Sequence, residues 1–295
     1  MGAVRLPGRR VLLRRAALLA AGAAAGAVTF AEATRYADRR LPLGDGPAGS
    51  TTGVGDQPPG DGGLRVVWTV RTDRRQVALT FDDGPAPQWT PMVLDILDRH
   101  RVPATFFLVG ERVRASAGLI RGRLDQHEVA NHSWAHRDLA RMDADEAYHD
   151  LRRAHTAIAE ATGREPRMLR PPWGHLGGGT LHAAARMRYD LVLWSLQMRE
   201  TVYPGDPAGH ARHIVAGVRP GTILLAHDTG TATRLVALRG LPDIIDGLRD
   251  RGFEFVTVSA LLAGGPGTSP RLASPASDLP GSVPVRAVPA PGPCP

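Results

Sequence analysis

Two adjacent acids, Asp82 and Asp83, end the apolar run Val77-Ala78-Leu79-Thr80-Phe81 and are followed by Gly84 and Pro85. Alone, Asp-Gly after a strand-like run reads as an ordinary turn. In a continuing strand the two carboxylates would point to opposite faces. The wide φ range of Gly84 and the fixed ring of Pro85 let the chain turn instead, so both acids can serve one site in different roles. The histidines give that site a specific chemistry. His132 and His136, in the stretch NHSWAHRDL, are spaced i and i+4, so both imidazoles can reach one metal ion from a helical turn. Two histidines and a carboxylate are a common catalytic zinc set that leaves one coordination position open. Zinc lowers the pKa of water bound there to about 7. Hydrolysis of this kind needs one acid on the metal and a second, separate acid as base.

Further polar groups recur at comparable places. RPPWGH covers Arg170 to His175, a polar stretch runs from Trp194 to Glu200, and LLAHDTG carries His227 and Asp228. Each follows a short apolar run. The strand candidates are 77–81, 104–109, 128–131, 168–170, 191–194, 222–226 and 253–256, continuous in the manner of strands buried on both faces. Helix candidates lie between them. Residues 90–100 start with Thr90-Pro91, read as a cap followed by a first-turn proline. Residues 143–161 open with Asp143 and Glu146, spaced as a capping box. Residues 206–218 have Pro207 near their start, and 235–251 run into Gly252, read as a C-cap. This alternation predicts a parallel α/β sheet of about seven strands, open or closed into a barrel, with functional groups at the C-terminal strand ends. The acids and histidines singled out above all fall at such ends. His100, His149, His155, His210 and His213 lie in helix-like or charged stretches and are expected to be solvated surface residues.

The segments TFDDGP, HSWAH, RPPWG and ILLAH, in this order, make the chain similar to the polysaccharide deacetylase family over roughly residues 74–262. The family is also called the NodB homology domain or carbohydrate esterase family 4. The resemblance implies a distorted parallel (β/α) barrel and metal-dependent hydrolysis of N-acetyl or O-acetyl groups on sugars. It also implies that Asp83, His132 and His136 are metal ligands, that Asp82 is the general base toward water, and that Arg170 orients and charge-pairs with that base. Trp173 stands where the family usually has Tyr. Its backbone N–H is implied to help hold the tetrahedral oxyanion, a role that tolerates the change of side chain. His227 is implied to be the general acid toward the leaving amine, and Leu225 a wall of the acetyl-methyl pocket. One motif departs from the pattern. In LWSLQMRETVYPGD, Glu200 aligns where Asp is usual and Thr201 where Trp is usual, which makes Glu200 the implied partner of His227. The metal implied is a divalent ion, zinc by its His and carboxylate ligands, with Co2+ or Ni2+ as alternates. His175 and Asp228 are read as structural or substrate-rim groups, and Trp68, Trp89 and Trp134 as core or sugar-stacking residues.

The chain has 295 residues, a formal charge of +7, and arginine at every basic position. Part of that charge is N-terminal. Arg9-Arg10 and Arg14-Arg15 precede an Ala-rich apolar run and the small-x-small triplet Ala31-Glu32-Ala33. This order reads residues 1–33 as an export signal, similar to a twin-arginine signal, or as a membrane anchor if it is not cleaved. The apolar run falls short of the about 20 residues of a full span. No arginine stripe with interleaved aromatics suggests a nucleic-acid partner. A single cysteine, Cys294, excludes an intramolecular disulfide and a cysteine-based metal site. Gly, Pro and polar content reads 34–64 as a flexible linker and 264–295 as a disordered tail, leaving 65–263 as one catalytic domain, expected to be monomeric. An exported enzyme of this kind would act on poly- or oligosaccharides, N-acetylated glycans of the peptidoglycan or chitin type first. The alternatives are hydrolysis of O-acetyl esters such as acetylxylan, hydrolysis of a cyclic amide on the same fold, and a metal-containing glycan-binding module without turnover.

Overall fold

The computed structural model describes residues 64–264. The signal, linker and tail expected from the sequence lie outside the described residues, apart from the border residues Leu64 and Gly264. Among the described residues, no helix is long and apolar enough to cross a membrane.

The strands are β1 (Val66–Val67), β2 (Gln76–Asp82), β3 (Thr105–Leu108), β4 (Glu128–Asn131), β5 (Met168–Leu169), β6 (Asp190–Val192), β7 (Leu196–Gln197), β8 (Thr222–His227) and β9 (Glu254–Val256). They form one sheet in the order β1-β6-β5-β4-β3-β2-β8-β7, with β9 paired to the start of β2. Every strand pairing is parallel. The helices are α1 (Thr90–His100), α2 (Gly110–Ser116), α3 (Ala144–Thr162), α4 (Gly178–Arg186), α5 (Pro207–Gly217), α6 (Leu235–Asp250) and α7 (Val258–Ala263). This is the distorted parallel (β/α) barrel expected, a curled sheet whose path ends at β1 and β7 rather than closing between them.

Side-chain alternation along the strands separates two apolar layers and positions the site. Val77, Leu79 and Phe81 of β2 pack with Phe106 and Leu108 of β3, Leu224 and Ala226 of β8, and the apolar stripes of α1 and α6. Ala78 of β2, Phe107 of β3, and Ile223 and Leu225 of β8 belong to the second cluster, with Leu191, Val192 and Trp194. With a period of two, Thr80 and Asp82 share the face of Ala78, and His227 shares the face of Leu225. Burial of both faces explains why these strands read as continuous apolar runs rather than alternating ones.

Local signals account for several boundaries. The capping box at α3 forms as read: Asp143 accepts from the Asp145 and Glu146 N–H groups, and the Glu146 side chain accepts from the Asp143 N–H. The reading of Thr90 as a cap is corrected. Trp89 is the N-cap residue of α1, without a side-chain cap bond. The Thr90 hydroxyl instead accepts from Ala86 N–H and donates to the Asp228 carboxylate at 2.6 Å. Gly252 follows the C-cap of α6, Arg251, with φ of 76°. The two-residue strands β1 and β7 and the helices α2, α4 and α7 were not among the expected elements; runs this short give almost no periodic signal.

Candidate active site

The β2 strand ends inside the sheet, so Asp82 is nearly fully buried, at 3% exposure. Burying a carboxylate requires a partner, and Arg170, which follows β5, supplies it. Arg170 is wholly buried. Its Nη1 donates to Asp82 Oδ1 at 2.6 Å and Thr80 Oγ1 at 2.9 Å, while Nε and Nη2 donate to the carbonyls of Val192 and Leu193. Asp82 Oδ2 is left facing His132 Nε2 at 3.7 Å.

Asp83 has φ of 77°, so the chain turns between the two acids as the Gly84-Pro85 pair suggested. Its Oδ1 lies 3.0 Å from His136 Nε2 and 3.4 Å from His132 Nε2. The ligand atoms of Asp83, His132 and His136 all lie within 4.8 Å of one another. These residues fit a cation on three grounds. Asp83 Oδ1 is buried without a hydrogen-bond partner. His132 Nδ1 lies 2.6 Å from the Arg170 carbonyl, which fixes its proton there and leaves Nε2 as a ligand atom. The titrations also point one way. Burial alone would raise the Asp83 pKa, but His132 and His136 outweigh it and hold the carboxyl well below its usual range. Burial opposes charge on His132, yet Asp82, Asp83 and the Arg170 carbonyl outweigh it and raise its pKa. The pocket therefore favours positive charge.

His227, at the end of β8, stands directly beside Asp82 in the sheet register. Its Nδ1 is buried, has no hydrogen bond, and lies 3.7 Å from Glu200 Oε1. Glu200 is itself buried, in a 3-10 turn from Glu200 to Val202. Leu225 is buried in the inner cluster, two residues before His227. Trp173 is 54% exposed, with φ of 56°, and its ring meets the edge of His136 at 4.5 Å between centroids. All nine residues singled out from the sequence thus lie on this sheet or at its C-terminal rim.

Other residues fall differently. His175 pairs with Asp138 at 3.3 Å. Trp89 and Trp134 are buried. His210, expected on the surface, is wholly buried in α5, and neither ring nitrogen has a hydrogen bond; burial lowers its pKa. The ring of Tyr203 lies against it and against its i+3 neighbour His213, a packing that the charged local sequence conceals.

Three contacts at the turn had no sequence signal. Arg112 Nη1 donates to the Asp83 carbonyl at 2.6 Å, and Arg234 Nη1 meets Asp83 Oδ2 at 3.3 Å. Asp228 is wholly buried beneath the turn, with burial pushing its pKa up to about 7. A Cβ on Gly84 would come 2.1 Å from Asp228 Oδ2, which is why only glycine fits there. Gly84→Ala is accordingly expected to cost about 1–3 kcal/mol by overpacking and to lower the melting temperature by several degrees, read by thermal unfolding of the apo protein. An unchanged melting temperature would remove this turn from the framework of the site.

The polysaccharide deacetylase family model matches residues 69–192. A chitooligosaccharide deacetylase of Bradyrhizobium sp. (strain ANU 289) is 39% identical over 192 residues, covering 61% of this chain and 87% of that protein. A peptidoglycan-N-acetylglucosamine deacetylase of Bacillus cereus is 34% identical over 200 residues, covering 67% of this chain and 92% of that protein. Among solved structures, a peptidoglycan N-acetylglucosamine deacetylase superposes with a TM-score of 0.63 at 27% identity, covering 66% of this chain and 92% of that one.

Proposed function

The chain belongs to the polysaccharide deacetylase family, and we propose on that premise that it hydrolyses the acetamides of N-acetylated glycans of the peptidoglycan or chitin type. The observation that carries this reading is the juxtaposition, at the C-terminal ends of β2, β4 and β5, of a His/His/Asp set with an arginine-paired aspartate. Asp83, His132 and His136 would hold a divalent ion, zinc first by the chemistry of its donors. When bound, such an ion supplies Lewis acidity, polarising the acetamide carbonyl and acidifying water.

The chain's own residues do the rest. Arg170 occupies Asp82 Oδ1, so Oδ2 is the free oxygen that takes a proton from the attacking water. The Trp173 main-chain N–H donates to the oxygen that becomes negative as the carbonyl turns tetrahedral. The Trp173 indole, exposed beside His136, forms a face on which a sugar ring can lie. Leu225 lines the apolar wall against the acetyl methyl. His227 gives its proton to the departing nitrogen through the ring nitrogen turned away from Glu200, whose carboxylate faces Nδ1 at 3.7 Å and favours the charged imidazole by its charge, without a hydrogen bond. The C–N bond breaks, leaving acetate and an amino sugar. The N-terminal arginine and alanine pattern would deliver this activity outside the cytoplasm.

Acetate release from peptidoglycan fragments, chitooligosaccharides and acetylxylan, with and without chelator, tests the reading. Release from the N-acetyl substrates, abolished by chelation and restored by zinc, is the expected result. No release from any N-acetylated glycan by the zinc-loaded protein would overturn it, and release confined to acetylxylan would move it to ester hydrolysis.

A further inference from the structure

The mechanism leaves one charged group at the centre of the site unused. Arg234 lies in the loop after β8, seven residues beyond His227, and folds back toward the metal-ligand set rather than out to solvent. Its Nη1 donates to the Thr229 carbonyl at 3.0 Å and meets Asp83 Oδ2 at 3.3 Å. The fold-back depends on Gly230, whose φ is 133° and where a Cβ would come 2.5 Å from Arg234 Cδ. The side chain is 31% exposed, and its Nε and Nη2 make no hydrogen bond among the described residues.

The carboxylates around it are already engaged. Asp83 faces two imidazoles as well as Arg234, and its carbonyl accepts from Arg112. Asp82 is held by Arg170, and Glu200 faces His227. A divalent ion on Asp83 would add further positive charge beside the guanidinium. Arg234 therefore shares its one carboxylate partner, Asp83, with two imidazoles, and the Nε and Nη2 donors of its partly desolvated fork face no carboxylate. Such a fork matches a carboxylate in shape and charge.

We propose that Arg234 reads a carboxylate on the glycan next to the scissile acetamide, making acidic N-acetylated glycans the preferred substrate class over neutral ones. This rests on the function proposed above only in taking the ligand to be a glycan. It differs from a structural role for Arg234, which would weaken binding of acidic and neutral glycans alike.

Binding, not turnover, decides it. Zinc-loaded Asp82→Asn protein is titrated calorimetrically with an N-acetylated disaccharide carrying a lactyl carboxylate, and with the same disaccharide reduced to the alcohol. The carboxylate form is expected to bind about tenfold more tightly, as one charge-assisted hydrogen-bond pair allows, with the ratio shrinking as salt rises. Adding Arg234→Gln brings the ratio to about one, and Gly230→Ala, which displaces the side chain, does the same. Equal affinities in the Asp82→Asn protein, or a ratio that survives Arg234→Gln, would overturn the proposal. Acetate release by the unmutated protein judges the deacetylase reading separately, since a binding preference can stand without turnover.

Discussion

Asp82→Asn is expected to lower kcat for acetate release by a factor of about 10² to 10⁴, the range of a lost general base, while zinc still binds with the parent affinity. The geometry separates the two effects. Asp82 Oδ1 is occupied by Arg170 at 2.6 Å, a contact that an amide oxygen can keep. The other atom, 3.7 Å from His132 Nε2, changes from a proton acceptor into an N–H donor. Asparagine therefore keeps a hydrogen bond to Arg170 and removes the capacity to accept a proton, together with the negative charge opposite that buried guanidinium, so the variant is also expected to melt lower than the parent. The metal set is Asp83, His132 and His136, so chelator competition should give unchanged zinc affinity in Asp82→Asn and a large loss in Asp83→Asn. If Asp82→Asn loses zinc together with activity, Asp82 is a ligand. If it keeps more than a tenth of the parent rate, it is not the base.

How much of this was legible in the sequence depends on the range of the interaction concerned. The long central strand β2 and the capping box of α3 are local patterns, and each appears where the sequence put it. His132 and His136 do converge on Asp83, but from an irregular bend with Ser133 and His136 at φ of 69° and 53°, not from the helical turn that their i, i+4 spacing suggested. Glu200 was placed by alignment against the family's usual Asp, and it does lie beside His227, at 3.7 Å rather than within hydrogen-bond reach. The longer side chain arrives from a 3-10 turn whose geometry no periodicity encodes. Thr90 was misread because its hydroxyl could satisfy a helix N-terminus; the structure spends it on Asp228, 138 residues away in the chain. Arg112, Arg234 and Asp228 were missed or left open for the same reason. Their roles come from the meeting of three strand-end loops at one turn, and nothing in the spacing of the residues announces it. His210 shows the converse error, a polar residue in a charged stretch that tertiary packing buries completely.

Replacing Arg170 with Met should produce the largest loss of stability of any single substitution at this site. Arg170 is wholly buried and joins β2 to the end of β6 through bonds to Thr80, Asp82, Val192 and Leu193, with its guanidinium 4.0 Å over the Phe107 ring. Methionine can fill the volume and keep contact with Phe107. It cannot answer the buried Asp82 carboxylate or the two carbonyls. Removing one partner of a buried ion pair costs about 3–5 kcal/mol, because the remaining charge keeps its desolvation penalty without compensation. At roughly 2–4 °C per kcal/mol for a domain of this size, the melting temperature should fall by about 10 °C. The source of the loss can be isolated with a double-mutant cycle. Arg170→Met combined with Asp82→Leu removes both charges, and the double variant should be more stable than Arg170→Met alone. A single variant that melts within about 2 °C of the parent would show that the pair does not hold the barrel together. A double variant no more stable than the single would assign the loss to the unanswered carbonyls of Val192 and Leu193 instead of the carboxylate.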